Sequence, residues 1–240
     1  IDRKTGKTRW YTTKSCGLSS NNIQSLYYEE DKDAIWVGTH LGGLNRLDIK
    51  SGRAKTYRFR KGHPNTLTHN IIKDILPYKD SLILATHYGI YMFDKVTGQR
   101  RDIFKGSDLE KIVKVVSKIF MDSKGNIWLT ISNQGILCHN LQSGKTTLFK
   151  PSGEGTISDS NIYDIIEDDY GKIWLATANY GIDMFDPDTE KFHNFDSQSY
   201  GLQSNRVYAF AKSAASRNIL FTTSAGFCSF DPDTKSFNNY

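Results

Sequence analysis

From Ile162 to Glu167 the chain alternates apolar and polar residues, then breaks at Asp168, Asp169, Tyr170 and Gly171. An apolar run from Ile173 ends on Thr177, a loop carries Gly181, and a second run spans Ile182 to Phe185. The turn at 186–189, Asp-Pro-Asp-Thr, leads into Lys191 to Phe195. Period-two runs bounded by such residues predict four short antiparallel strands. The turn residues have physical reasons to be there. Asp bonds its own backbone, Pro presets φ at the second turn position, and Gly accepts positive φ. No stretch sustains a 3.6-residue period, which excludes helical bundles and α/β folds; Asp108 to Val116 is the nearest approach.

This unit recurs. Glycines fall at 43, 89, 135, 181 and 226, in steps of 46, 46, 46 and 45 residues. Asp48, Asp94, Asn140, Asp186 and Asp231 keep the same steps. Four strands per repeat of this length is the arithmetic of a β-propeller blade. The expected fold is therefore all-β, with five four-stranded antiparallel blades over approximately 12–60, 61–105, 106–150, 151–196 and 197–240. Asp2 and Gly6 lie 46 residues before Asp48 and Gly52, so residues 1–11 read as the orphan outer strand of a preceding blade. That strand suits a seven-bladed ring better than a self-sufficient ring of five, and the expectation is an open arc or one whose edges pair with another copy.

A blade cut off alone buries little, so neighbours must stack face to face. Aromatics at 12% supply the bulk, and Trp36, Trp128 and Trp174 recur on the second strand, with Ile83 and Ile219 near the matching sites. These are read as packing between blades. No run of about 18 apolar residues exists to span a bilayer as a helix. The chain opens at Ile1 with neither Met nor a signal-like stretch, which reads as a piece whose native address has been removed. Net charge is +5, with basic residues mostly scattered over what read as solvated faces. Cys16, Cys138 and Cys228 lie far apart, arguing against a disulfide framework or a zinc site.

The pattern Gly17 to Ile23 (Gly-Leu-Ser-Ser-Asn-Asn-Ile), then Ile35 to Thr39, Gly43-Leu44 and Leu47-Asp48, resembles the two-component-regulator propeller repeat. Similar echoes stand at Thr156 to Ile162 and Gly201 to Val207, and the resemblance covers essentially the whole chain. The second and third repeats depart from it: Trp is missing near Ile83, and Ser107 to Lys114 lacks the Gly-Leu-Ser signature. The resemblance implies a periplasmic sensor region of a hybrid two-component histidine kinase in gut Bacteroidetes-type bacteria. There, paired seven-bladed propellers precede an immunoglobulin-like domain, a membrane span and the kinase, and the ligands are commonly oligosaccharides. The repeat is also similar to that of streptogramin-lyase-like propellers, which keeps a lyase or hydrolase reading open.

Catalytic spacings were sought: there is no GxSxG elbow, HExxH, P-loop, or GxGxxG opening a helix. The six histidines form no ligand-spaced pair, and the Asp-Pro-Asp-Thr turns lack the glycine and distal glutamate of a calcium loop. No catalytic residue, metal ligand or cofactor is assigned. With four antiparallel strands per blade, the loop between blades and the loop joining strands two and three share one face. That face gathers His40, His87, Tyr88, Asn133, Asn179 and Tyr180, together with loops bearing Asn22, Asn70, Asn161 and Asn205. Rings stack on pyranose faces while amides and imidazoles satisfy hydroxyls, so the first six are the ligand-binding candidates. The bland reading is that the repeated asparagines cap turns and the tyrosines fill gaps between blades. Expected partners are a glycan oligosaccharide, the rest of the receptor and a homodimer partner. Nucleic acid is not expected, and the membrane would be met only through flanking segments. A protein-interaction propeller docking a partner through its basic rim or blade edges is the third reading.

Overall fold

A computed structural model describes residues 5–63 and 66–240. It holds five four-stranded antiparallel sheets, each pairing its strands in chain order. Blade I comprises β1 (Ile23–Glu29), β2 (Ala34–Thr39), β3 (Leu44–Asp48) and β4 (Arg53–Tyr57). Blade II comprises β5 (Ile72–Tyr78), β6 (Ser81–Thr86), β7 (Gly89–Asp94) and β8 (Arg100–Asp102). Blade III has β9 (Val116–Met121), β10 (Asn126–Ile131), β11 (Gly135–Asn140) and β12 (Thr146–Phe149). Blade IV has β13 (Ile162–Glu167), β14 (Ile173–Thr177), β15 (Ile182–Asp186) and β16 (Lys191–Phe195). Blade V has β17 (Val207–Lys212), β18 (Ile219–Thr223), β19 (Phe227–Asp231) and β20 (Ser236–Asn239). The chain divides into two compact units, Ile1–Val116 with blades I and II, and Ser117–Tyr240 with blades III to V.

Two local expectations are adjusted. The orphan outer strand falls partly on residues 1–4, outside the described residues, and 6–11 carry no strand pairing. This segment joins none of the five sheets, and Arg9 Nη1 donates to the Ile49 carbonyl of blade I. The segment with weak helical character contains one helical turn, α1 (Leu109–Ile112). Among the described residues no helix is long and apolar enough to cross a membrane.

The tryptophans are the bolts between blades. In unit 1, Trp36 is fully buried against Leu82, Leu84 and Phe93 of blade II. In unit 2, Trp128 packs on Phe185 of blade IV, and Trp174 on Phe230 of blade V. Each buried indole N–H needs an acceptor, since an unmet polar group in such a core costs about 1–3 kcal/mol. A carboxylate at the end of the first strand or its turn supplies it. Trp36 Nε1 donates to Glu29 (3.0 Å), Trp128 to Asp122 (2.9 Å) and Trp174 to Asp168 (2.8 Å). Burial opposes the charge on Glu29, but Lys95 (2.6 Å), Trp36 and Arg46 together hold its carboxyl below the usual range. Blade V dispenses with both partners. Strand register sets Leu220, rather than Ile219, at the Trp174 position, and Ser213 occupies the turn site of Asp168, its N–H bonding Asn218 O as Asp168 N bonds Lys172 O.

Candidate functional site

The hairpin loop between the second and third strands has one design in blades I, II, IV and V. A threonine closing the second strand turns its hydroxyl onto the loop glycine's carbonyl: Thr39 to Gly43 (2.8 Å), Thr86 to Gly89 (2.9 Å), Thr177 to Gly181 (2.9 Å) and Thr223 to Gly226 (3.2 Å). The glycine N–H then reaches the lead-in segment of the following blade. Gly43 bonds Asn70 O (2.8 Å), Gly135 bonds Ser160 O (3.2 Å) and Gly181 bonds Asn205 O (2.7 Å). At Gly181 the φ of +84° and the Phe195 carbonyl, which an added Cβ would overlap, exclude other residues.

The lead-in segments are equally regular. Their buried apolar anchors are Leu18, Leu67, Ile157 and Leu202. Asn70 Oδ1 accepts from Phe59 N and Asn205 Oδ1 from Ser197 N, while Asn21, rather than Asn22, does the same for Thr13 N. The in-phase asparagine thus ties down the strand-to-blade crossover, and Asn22 and Asn161 stand one residue later. Two residues before the second of these positions sits another acceptor. Ser20 Oγ, His69 Nδ1, Asp159 Oδ1 and Ser204 Oγ each take the N–H two residues on.

In unit 1 this places an imidazole where other blades use Ser or Asp, and it meets the hairpin loops. His69 lies 5.5 Å from His87 and 5.0 Å from Tyr88 between ring centroids, and His87 lies 5.4 Å from Tyr88. Burial lowers the His69 pKa, and the charges of His87 and His40 lower it further. Its accepting Nδ1 also requires the neutral ring. His40 is half-buried, whereas His87 and Tyr88 are exposed. Three sequence candidates, His40, His87 and Tyr88, thus gather around His69, which carries no ligand spacing in the sequence. No group of three or more His, Cys, Asp or Glu among the described residues could hold a metal ion.

In unit 2, Asn133 and Asn179 with Tyr180 occupy the hairpin loops of blades III and IV. Asn133 adopts φ +59°, a left-handed position that Asn tolerates well and that Leu41 also holds in blade I. Asn179 Nδ2 donates to the buried Asp159 (3.0 Å). Beneath this loop lies Asp183, fully buried, which sequence reading passed over. Its Oδ2 accepts from Ser158 N (2.8 Å) and Oγ (3.0 Å), and its Oδ1 from Asn194 Nδ2 (2.8 Å), which also reaches Tyr180 O. Burial pushes the Asp183 carboxyl up to about 6, against the hydrogen bonds that favour its charge. Blade I builds the same pin from neutral parts, Ser19 N donating to Asn45 Oδ1 (3.0 Å) and Thr56 Oγ1 to the same oxygen (2.9 Å).

A further feature escaped the sequence because it depends on cross-strand register. In blades I, II, IV and V the first strand carries a bulge one residue after its start. A bulge takes one residue out of the ladder and re-aims its side chain. The residues so placed are Gln24, Lys73, Tyr163 and Tyr208: a fixed backbone device with variable chemistry.

Comparisons with known proteins are made against this geometry. Residues 156–179 match the family model described as two component regulator propeller. A search of curated protein sequences finds no match. Among solved structures, the extracellular domain of the putative hybrid two component system BT3049 from B. thetaiotaomicron is similar at 18% identity. Its TM-score is 0.77, over 96% of this chain and 30% of that one. The corresponding domain of BT4673 from the same organism gives 19% identity and a TM-score of 0.75, over 97% and 33%. PorZ, a surface component of the type-IX secretion system of Porphyromonas gingivalis, gives 15% and 0.67, over 91% and 33%. The chain thus spans about a third of the length of these structures. At such identities the likeness establishes the fold, and the motif match lies in the lead-in, first strands and hairpin loop of blade IV. The chain is a β-propeller array in which residues 156–179 match the two-component-regulator propeller repeat.

Proposed function

We propose that this chain is part of the extracytoplasmic, periplasmic sensor region of a hybrid two-component receptor, and that it binds an oligosaccharide without transforming it. The observation that carries this reading is the contrast within the loop face. Within each unit, staples recur from blade to blade, the threonine-to-glycine bond in blades I, II, IV and V and the glycine N–H to the next lead-in at Gly43, Gly135 and Gly181, while the side chains on the loops vary through His, Tyr, Asn, Gln and Ser. An asymmetric ligand requires such variety on a rigid frame. Binding would shift the packing of the complete receptor, or the geometry of its homodimer, by favouring one pre-existing arrangement. The resemblance of the repeat and the similarity to extracellular domains of hybrid two-component systems support the assignment. Calorimetric titration with a panel of neutral and acidic oligosaccharides tests it; silence across the panel overturns it.

The contact of His69, His87 and Tyr88 favours a second reading, a lyase or hydrolase using imidazole as acid or base. That reading requires turnover of a glycan substrate that is abolished by His87→Ala or His40→Ala.

A further inference from the structure

The bulge positions of blades IV and V bring two exposed aromatic rings together. Tyr163 and Tyr208 stand at equivalent places on β13 and β17. Their rings lie 15° from parallel with centroids 6.1 Å apart. This is an offset-stacked pair, within the range of about 4.5–7 Å between centroids for aromatic contacts, which covers part of each ring and leaves the rest open. Accordingly they stay 46% and 45% exposed. Neither belongs to the hydrophobic clusters of blades III to V.

Their surroundings are polar and fixed. Two residues before each tyrosine stands a lead-in residue, Asn161 and Arg206. Arg206 Nε donates to Ala178 O (3.3 Å), and Ala178 N in turn bonds Asn161 O (3.0 Å). The guanidinium is thus drawn from blade V across to the hairpin loop of blade IV, where Ala178 follows Thr177, the cross-strand partner of Ile162. Its position is held through Nε, and neither terminal nitrogen meets a carboxylate among the described residues. A fork anchored by Nε keeps two parallel N–H groups for a planar or tetrahedral anion. On the blade III side of Tyr163 a small cleft is lined by Ser117, Ser132, Ser160 and Asn161, all hydrogen-bonding side chains.

We infer that Tyr163, Tyr208 and Arg206 form a subsite for an acidic sugar residue, a uronate or sulfated hexose within an oligosaccharide. The rings take the apolar face of the pyranose, and the arginine takes its carboxylate or sulfate. This rests on the sensor reading above, but locates the subsite on the inner strands of unit 2 rather than on the hairpin-loop residues. Lys118 supplies no competing cation, because it pairs with Asp164 (3.3 Å). Asp164 in turn accepts from Phe210 N (2.8 Å), so this acid is engaged as well.

The test titrates the 240-residue chain with hexagalacturonate and with cellohexaose, which share a six-membered ring but differ in charge. Hexagalacturonate should bind more tightly. Tyr208→Ala should weaken it by about tenfold, the equivalent of one lost stacking contact. Tyr208→Phe, which keeps the ring, should stay within about twofold of wild type. Arg206→Met should remove the preference for the charged sugar while leaving the weaker neutral binding in place. Three results overturn the inference: no binding of hexagalacturonate, equal binding of the two sugars, or binding that ignores Tyr208→Ala. In the last case loss on His87→Ala or Asn179→Ala would preserve the sensor reading and move the site to the hairpin loops. Silence of both sugars, extended to the wider panel, would remove the sensor reading too. Folding of each variant is checked by its far-UV circular dichroism, and Tyr163→Ala serves as a second ring deletion should Tyr208→Ala unfold.

Discussion

Exchanging the buried acid pin of blade IV for the neutral pin of blade I should stabilise unit 2 at neutral pH and reverse its effect in acid. Asp183 and Asn194 are cross-strand partners, as are Asn45 and Thr56, so Asp183→Asn with Asn194→Thr transplants a working arrangement. The Asp183 carboxyl is raised from 3.8 to about 6. The folded state therefore holds a proton that the unfolded chain releases between these values, and stability falls as pH rises through the window. Above it, the displacement withholds about 3 kcal/mol. Asn45 recovers three hydrogen bonds with Ser19 and Thr56, as many as Asp183 makes with Ser158 and Asn194. What the exchange loses is the reach of the Asn194 amide to Tyr180 O, Ser158 Oγ and Ile182 O, which share its two N–H groups, about 1 kcal/mol. The double variant should then be more stable by about 2 kcal/mol at pH 7.5 and less stable by about 1 kcal/mol near pH 3.5. Urea unfolding at both pH values, with the m-value monitored, reads this directly. A variant weaker than wild type at pH 7.5, or a difference that does not move with pH, would refute the electrostatic account of Asp183.

Further outcomes follow from the same packing. Trp174→Phe keeps the ring contact with Phe230 but leaves Asp168 Oδ2 without its indole donor, Oδ1 still accepting from Tyr170 N and Lys172 N, and should lower unfolding free energy by about 2 kcal/mol in denaturant melts. Gly181→Ala should cost about 3 kcal/mol or more because its Cβ meets the Phe195 carbonyl, whereas Gly144→Ala, in open space at φ +74°, should cost only about 1 kcal/mol. His69, with its pKa lowered in the fold, contributes stability that is complete above the unfolded value of 6.5 and lost as pH falls from there through its lowered folded value. His69→Ser, which installs the cap used by Ser20 and Ser204, should flatten the thermal midpoint of unit 1 between pH 5 and 7 (about the range in which imidazole titrates); an unchanged pH profile would count against the cap.

The strand plan was legible because two signals reinforce each other. Alternation marks each strand, and the spacing of Gly43, Gly89, Gly135, Gly181 and Gly226 repeats it five times over. The tryptophans were legible as packing, but their acid partners were not. Glu29 and Asp122 look like ordinary turn acids until the indole N–H is found pointing at them. His69 escaped notice since its neighbours His87 and Tyr88 lie on the next hairpin of the same blade, and only the crossing of the lead-in segment brings them within ring contact. Asp183 misled for the opposite reason: a polar residue in an alternating strand suggests solvent, and this one faces the buried side of a loop. Tyr163 and Tyr208 could have been found by aligning the residue after Ile162 with the residue after Val207, yet the bulge that gives the position its meaning is a property of pairing with the second strand.

The glycine staple also sets an order in time. Gly43, Gly135 and Gly181 each complete their loops with a carbonyl that lies downstream in the chain. On a ribosome, a blade would emerge with its hairpin loop unlatched and would acquire its final shape only when the first residues of its successor arrived. The loop of one blade is in this sense encoded partly in the next. A substitution in a lead-in segment should therefore register as an altered hairpin-loop conformation in the blade before it.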